Sequence, residues 1–273
     1  MKEKEITTLS GQKASILGLG SNLQMESECI NLAYQNKINY FFFYNLKSTH
    51  LISQMNQLCE NKSDRENIII ATGSESRDLQ ELEAYRIDFC QQLNIKTIDI
   101  FLLEYVYPQD NIEEVESLLE QLLQWKQKGL IRYLGISTHN RELAVHFLDT
   151  GKIDLLMHRY NMAHRQAETI VFPIATQHDI PIVSFTATRW GSLLKGHDKW
   201  DLPIPSALDC YRFVLQNSAI RLTLTSPKTI AELMANLAVF KYSKMNDIEY
   251  QNWQQYGDLI YDRGQDSFET QWQ

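Results

Sequence analysis

Cysteine, proline and glycine are all scarce in this chain of 273 residues, at four, six and eleven. The cysteines, Cys29, Cys59, Cys90 and Cys210, have no close spacing. That argues against a disulfide framework and a zinc cluster, and fits reduced, buried thiols in helical segments. With so little proline and glycine there is no linker or low-complexity tract, so residues 1–273 read as one domain. No apolar run reaches the roughly 18 residues of a membrane span. Basic residues are in deficit: 26 Lys and Arg against 34 Asp and Glu give a net charge of −8. Nucleic acid and anionic membranes are therefore disfavoured partners. The start, Met1-Lys2-Glu3-Lys4-Glu5, has no apolar stretch behind it, unlike a secretory leader, so a cytoplasmic setting is expected.

What is present is regular alternation. Strand-like runs occupy 14–20, 38–44, 67–72, 97–103, 131–137, 153–160, 181–185 and 220–225. They are short, mostly continuous and rich in Ile, Leu and Phe, as strands covered on both faces of a parallel sheet are. Helix-like segments at 26–36, 49–59, 78–93, 112–128, 141–148, 166–177, 206–216 and 229–240 follow them in turn. In 112–128, Val115, Leu118, Leu119 and Leu122 share one helical face. Eight strands alternating with eight helices predict an α/β fold, a closed (β/α)8 TIM barrel in preference to an open doubly wound sheet. Residues 9–12 suggest a hairpin under the barrel. Residues 248–263 suggest an extra C-terminal helix, with Trp253, Tyr256 and Ile260 packed on the outside. Trp253, Tyr256 and Trp272 either cover the barrel or meet a partner, and the oligomeric state is not read.

In a barrel of this kind chemistry gathers at the C-terminal strand ends. Phe42, Tyr44, Gly73, Glu104, Ser137, His139, Arg159, Asn161, Phe185, Arg189, Trp190, Ser226 and Lys228 all stand at or just after such ends. Arg159 is the most telling, because a guanidinium at an apolar strand end needs an anion. That anion is either Glu104 or a carboxylate or phosphate on a ligand. His139 serves the site or caps the next helix. Phe42 packs the interior or stacks on substrate, and Arg189 with Trp190 forms an anion-plus-aromatic wall, or Trp190 alone closes the mouth. No metal-ligand set is expected. Gly18-Leu19-Gly20 lacks the third glycine of a dinucleotide fingerprint.

The strand-end motifs resemble the aldo-keto reductase superfamily over nearly the whole chain. Ile16-Leu17-Gly18-Leu19-Gly20 looks like its opening strand, and Ile38-Asn39-Tyr40-Phe41 like its G-I-N-F-F segment, with Lys37 for the glycine. Asp99-Ile100-Phe101-Leu102-Leu103 resembles D-L-x-L-L. Gly129-Leu130-Ile131-Arg132-Tyr133-Leu134-Gly135-Ile136-Ser137 resembles G-K-I-R-x-I-G-x-S, and Tyr160-Asn161 the family's Y-N. The resemblance implies NADP(H)-dependent carbonyl reduction. Its proton donor is a tyrosine whose pKa is lowered by a lysine paired with an aspartate, while a histidine orients the carbonyl. An unassisted phenol near pKa 10 does this poorly at neutral pH.

The chain departs from that pattern at nearly every such position. Phe42 stands for the aspartate, Gly73 for the lysine and Glu104 for the histidine. Ungapped alignment puts Lys47 at the tyrosine. A three-residue deletion puts Tyr44 there and brings Leu51 and Met55 into the family's helix register, and is preferred. Tyr44 then lies among phenyl rings and a carboxylate, which raise a phenol's pKa, while a buried Glu104 becomes an alternative acid. Some relatives with this glutamate reduce carbon–carbon double bonds, but they keep the lysine. For the cofactor the resemblance implicates Ser137, Asn161 and Phe185 at the nicotinamide and Ser226, Lys228 and Asn236 at the far end. Thr138 and Met157 replace an asparagine and a glutamine. Glu232 replaces an arginine that holds the 2′-phosphate, favouring NADH over NADPH, or no dinucleotide. Three readings follow. One is a divergent NAD(P)H-dependent reductase of a small, anionic substrate, with Tyr44, Glu104, His139 and Arg159 as its working groups. The others are a non-redox acid/base enzyme (isomerase or lyase) and an inactive binding or scaffolding protein.

Overall fold

The computed structural model describes residues 5–263; Trp272 lies outside them. Strands alternate with helices, with a second helix added after that of Thr49–Glu60 and after that of Ile230–Asn236. The first half runs β1 (Leu17–Gly20), α1 (Cys29–Gln35), β2 (Tyr40–Phe43), α2 (Thr49–Glu60), α3 (Lys62–Glu66), β3 (Ile69–Ser74), α4 (Leu79–Leu93), β4 (Ile98–Leu103) and α5 (Ile112–Gln127). The second half runs β5 (Ile131–Thr138), α6 (Arg141–Asp149), β6 (Leu155–Arg159), α7 (Ala167–Gln177), β7 (Ile182–Phe185), α8 (Ala207–Leu215), β8 (Ile220–Thr225), α9 (Ile230–Asn236) and α10 (Asp247–Arg263). All eight strands pair in parallel, and β1 closes on β8. The expected barrel is therefore the fold.

Register decides which side chains fill it. Gly20 pairs with Phe42, Phe42 with Ala71, Gly73 with Leu102, and Leu102 with Gly135. Alternation along each strand then sends Tyr40 and Phe42, Ile69 and Ala71, Ile100 and Leu102, Leu155 and Met157, Val183 and Phe185, and Leu222 and Leu224 inward as one interior cluster. The other face of each strand packs on the helices, where Phe41, Phe43 and Phe101 sit fully buried. Burying a side chain of this size contributes roughly 1.5–3 kcal/mol. Gly18 is needed in the interior: a Cβ there would come within 2.8 Å of the Tyr40 ring.

The bottom of the barrel is closed as expected. Thr7 bridges Lys13 in an antiparallel hairpin, and Ile6 plugs the interior cluster. Beneath it the fully buried Asp99 accepts from Arg65, Arg132 and the Ile70 amide at 2.8, 2.7 and 2.9 Å. Arg132 also donates to the Thr7 and Thr8 carbonyls, which fixes the hairpin.

Four local differences from the sequence reading have physical causes. The helix expected over 26–36 starts at Cys29, because Glu26 is tied to the β8–α9 connection through its backbone and side chain. The helix expected over 229–240 ends at Asn236 and tightens into a 3-10 turn, Leu237–Lys241. The short α3 and a 3-10 turn at Ser192–Lys195 were not foreseen. Finally, α10 lies over the loops after β6 and β7 instead of only on the flank. Gly257 abuts the Met162–Ala163 backbone so closely that any Cβ would collide, and the Tyr256 hydroxyl donates to the Leu193 carbonyl at 2.6 Å. All four cysteines are free thiols, on α1, α2, α4 and α8; Cys59 is half-buried and the other three are buried. No helix among the described residues is long and apolar enough to cross a membrane.

Candidate active site

The same inward parity, carried one residue past each strand, assembles the mouth of the barrel. Glu104 follows β4 on the inward face and is buried, 4% exposed. Its carboxyl lies over Gly73 of β3: a Cβ at 73 would sit 2.6 Å from Oε1 and 2.7 Å from Cγ. Oε1 has no hydrogen-bond partner among the described residues. Arg159 makes no ion pair with it, so the pairing considered from sequence does not form. Burial first, then the nearby Glu75 carboxylate, pushes the Glu104 carboxyl up to about 8. At neutral pH this is a protonated acid facing the barrel axis. The loop behind it is held by Arg77, which donates to the Glu104 and Tyr105 carbonyls at 3.1 and 2.8 Å and pairs with Asp110 at 2.8 Å.

Tyr44 extends β2 on the same face. Its ring meets Phe42 edge-on, with centroids 4.6 Å apart. Burial and the Glu104 carboxylate push its hydroxyl up to about 12, while a hydrogen bond with Ser226 acts the other way. Gly20 leaves room for this pair, since a Cβ there would lie 2.8 Å from Ser226 Oγ and 3.5 Å from the phenolic oxygen. Lys47 is exposed, and its backbone amide donates to Asn45. Phe42 itself is fully buried within the interior cluster, a packing position.

A cleft of about 560 Å³ opens between the loops after β7 and β8. Tyr44, Thr186, Thr188, Trp190, Ser226, Lys228 and Asn236 line it. Trp190 is half exposed at its rim, and Asn236 is fixed by donating to Thr225 Oγ1 at 2.9 Å. Two backbone amides at the head of α9 already serve carboxylates: Lys228 N donates to Glu232 at 2.7 Å, and Ile230 N to Glu26 at 2.9 Å. Thr186, Arg189 and Trp190 all hold positive φ, at 59°, 50° and 51°. Such strain in non-glycine residues persists where the surroundings fix it, commonly at ligand sites.

Several expected site residues have structural duties. Asn161 Oδ1 accepts from the Ala163 and His164 amides at 3.0 and 2.9 Å, and its Nδ2 donates to the Thr186 carbonyl at 2.9 Å, bracing the β6 and β7 loops together. Ser137 Oγ accepts from the Tyr105 amide. Arg189, expected beside Trp190 in an anion wall, is 1% exposed and lines neither this cleft nor the cavity below; it donates to the Ile260 carbonyl at 2.8 Å and anchors α10. Phe185 is buried and meets His139 edge-on at 5.0 Å. His139 also stacks on Tyr105 and, with Arg159, lines a second cavity of about 290 Å³ between the β5 and β6 strand ends and α10.

The profile of the aldo/keto reductase family matches residues 39–206, more than half of the chain. The chain belongs to that family. Its barrel resembles the aldo-keto reductase AKR11C1 from Bacillus halodurans in both holo and apo forms. The holo form superposes with a TM-score of 0.74 at 20% identity, covering 93% of this chain and 96% of that one. The apo form gives 0.71 at 20% identity, covering 92% and 94%. No curated protein sequence matches the chain. In this aldo/keto reductase, then, Phe42, Gly73 and Glu104 stand where the resemblance calls for aspartate, lysine and histidine. Sequence reasoning missed Glu26 and Arg77, and also Arg141 and His158, which line the second cavity. No strand-end pattern marks the first three, and alternation sends His158 to the outward face of β6.

Proposed function

We propose that this aldo/keto reductase is an oxidoreductase of divergent mechanism, with Glu104 as its proton donor and NADH as its reductant. The carrying observation is the buried Glu104 carboxyl, protonated at neutral pH and with one oxygen lacking any described hydrogen-bond partner. The cleft between the β7 and β8 loops fits a nicotinamide dinucleotide in its donor set: Ser226, Lys228 and Asn236 at one end, and the buried Phe185 ring toward the axis. It does not fit a 2′-phosphate. The Glu26 and Glu232 carboxylates already take the amides at the head of α9, and both would repel a dianion. When bound, the dinucleotide supplies the hydride.

The chain's own residues supply the rest. Glu104 gives its proton to the substrate oxygen as that oxygen gains negative charge, and the resulting carboxylate is reprotonated from solvent. A glutamic acid held near pKa 8 suits this donation better than Tyr44, which stays a neutral phenol well above neutral pH. Tyr44 and Ser226 both lie beside Gly20 in the lining of the cleft. The substrate class is a small carbonyl compound or activated alkene.

Fluorescence titration with NADH and NADPH, followed by turnover of Glu104→Gln on a carbonyl panel, tests the reading. Saturable NADH binding and loss of turnover in the variant are expected. No NADH binding up to about 1 mM, a weak-binding limit, removes it. A Glu104-dependent isomerisation or elimination would then be the function to pursue.

A further inference from the structure

One wall of the cleft belongs to the connection from β7 to α8. Thr186, Ala187, Thr188, Trp190, Gly191 and Leu194 line it, and no described residue of α10 does. Within this stretch Thr186, Arg189 and Trp190 hold positive φ, which a loop left to itself relaxes out of. Local turns shape it: the Arg189 amide donates to the Thr186 carbonyl and the Gly191 amide to the Thr188 carbonyl, at 2.8 and 3.0 Å. Such turns fix the curl of a loop but not its place over a barrel. The place is set from behind. The Tyr256 hydroxyl donates to the Leu193 carbonyl at 2.6 Å, and Arg189 Nη1 donates to the Ile260 carbonyl at 2.8 Å. Tyr256 and Ile260 are four residues apart and share one face of α10. Arg189 and Leu193 are also four apart, and between them lie Trp190 and Gly191 of the cleft wall. Arg189 is 1% exposed, and Leu193 and Tyr256 are fully buried, so water does not take over either bond. Trp200, farther along the same connection, packs its ring 5.2 Å from that of Tyr256. The helix itself has no slack: Gly257 abuts the Met162–Ala163 backbone, and Asp258 pairs with Arg165 of the β6–α7 connection.

We propose that α10 is a strap that holds the β7–α8 loop in the shape of the cleft wall, with Tyr256 and Arg189 as positioning residues for the dinucleotide. The link to the dinucleotide, though not the strap itself, rests on the cofactor reading above. A wall already held in one arrangement needs no ordering when the ligand binds. Apparent affinity then scales with the fraction of molecules in which the wall is formed. Removing the Tyr256 hydroxyl leaves the Leu193 carbonyl buried without that donor, which favours arrangements in which the carbonyl reaches water. Leu193 sits three residues after Trp190 and directly before Leu194, so those arrangements displace the rim of the cleft as well. A helix that served only as cover would act through apolar contacts. Here two buried bonds to main-chain carbonyls, one donated by the helix and one by the loop, fix where the loop runs. Linkage makes the coupling reciprocal, so a bound dinucleotide also holds the loop against α10.

Amide hydrogen exchange on the full chain, together with NADH titration, tests this in Tyr256→Phe. The Gly191, Leu193 and Leu194 amides donate within the loop's own turns, so their exchange reports how often the loop opens. In the variant, segments within 186–196 should exchange about tenfold faster, and the NADH dissociation constant should rise about tenfold, as expected when one buried hydrogen bond to the wall is lost. Tyr250→Phe removes a hydroxyl from the same helix, one that lies against Glu168 and Tyr160, and should change neither. Unchanged loop exchange in Tyr256→Phe overturns the strap. So does loosening of equal size in Tyr250→Phe, which would mean only that α10 as a whole had weakened. Faster exchange with wild-type NADH affinity overturns the positioning role. A wild-type protein that binds no NADH, while Tyr256→Phe alone loosens the loop, removes the cofactor reading and keeps the strap.

Discussion

The Glu104 carboxyl occupies the space that a side chain on Gly73 would need. A Cβ at 73 would lie 2.6 Å from Glu104 Oε1 and 2.4 Å from the Leu102 carbonyl oxygen. A lysine at 73 would therefore meet both the Leu102 backbone and the Glu104 side chain across the β3–β4 pair, and cannot be restored by that one substitution. Gly73→Ala is expected to destabilise the fold by about 1–3 kcal/mol through overpacking. Gly73→Lys should cost at least as much and restore no tyrosine-based chemistry. Urea denaturation midpoints read the first effect. A Gly73→Ala protein as stable as wild type would mean that both the Glu104 side chain and the Leu102 backbone give way freely.

The raised Glu104 pKa has a definite pH signature. Native Glu104 keeps its proton up to about 8, while the unfolded chain releases it near the ordinary carboxylate value of 4.5. Between those values the native state binds more protons than the unfolded one, so this group's contribution to stability is complete below the ordinary value and declines as pH rises toward 8. Turnover that uses the protonated form should fall above about pH 8 along the same titration. Glu104→Gln should abolish turnover and flatten the stability slope in that window. Denaturation at several pH values checks the second effect even where no substrate is known.

The two carboxylates at the head of α9 set the cofactor preference. Glu232→Arg removes one negative charge and adds a cation where a 2′-phosphate would lie, and it also frees the Lys228 amide. The ratio of NADPH to NADH affinity should rise at least about tenfold, the worth of one charge-assisted contact. Glu26→Gln should move the ratio the same way by less, because Ile230 keeps an acceptor. An unchanged ratio in both variants would falsify the placement of the ribose end at α9.

The barrel was legible because its signal is redundant. Each of eight apolar runs carried the same message, and an error in one could not alter the count. The inward set was also readable, since alternation from Phe42 leads to Tyr44 and from Leu102 to Glu104. What escaped the sequence depends on contacts between distant segments. Arg189 looked like a mouth residue from its position after β7, yet its partner is the Ile260 carbonyl, 71 residues on. Glu26 looked like the start of a helix, and its acceptor role at Ile230 spans 204 residues. His158 faces outward by parity, and only the placement of α10 and the β6–α7 loop turns that face into part of a cavity.

Asp99 separates stability from chemistry. It is fully buried at the opposite end of the barrel from Glu104, and two guanidiniums and the Ile70 amide converge on it. Asp99→Ala leaves Arg65 and Arg132 half-buried beside each other with no anion between them. Breaking a buried pair from one side costs about 3–5 kcal/mol. Asp99→Asn, which keeps an acceptor for the amide but not the charge, should cost less. The damage should also reach the hairpin, because Arg132 holds the Thr7 and Thr8 carbonyls. Faster proteolysis near residues 6–13 is therefore expected alongside the lower denaturation midpoint. NADH affinity, measured well below the midpoint, should stay at the wild-type value, since every group assigned to it lies at the other end of the strands. A shift in NADH affinity without a shift in stability would contradict that division.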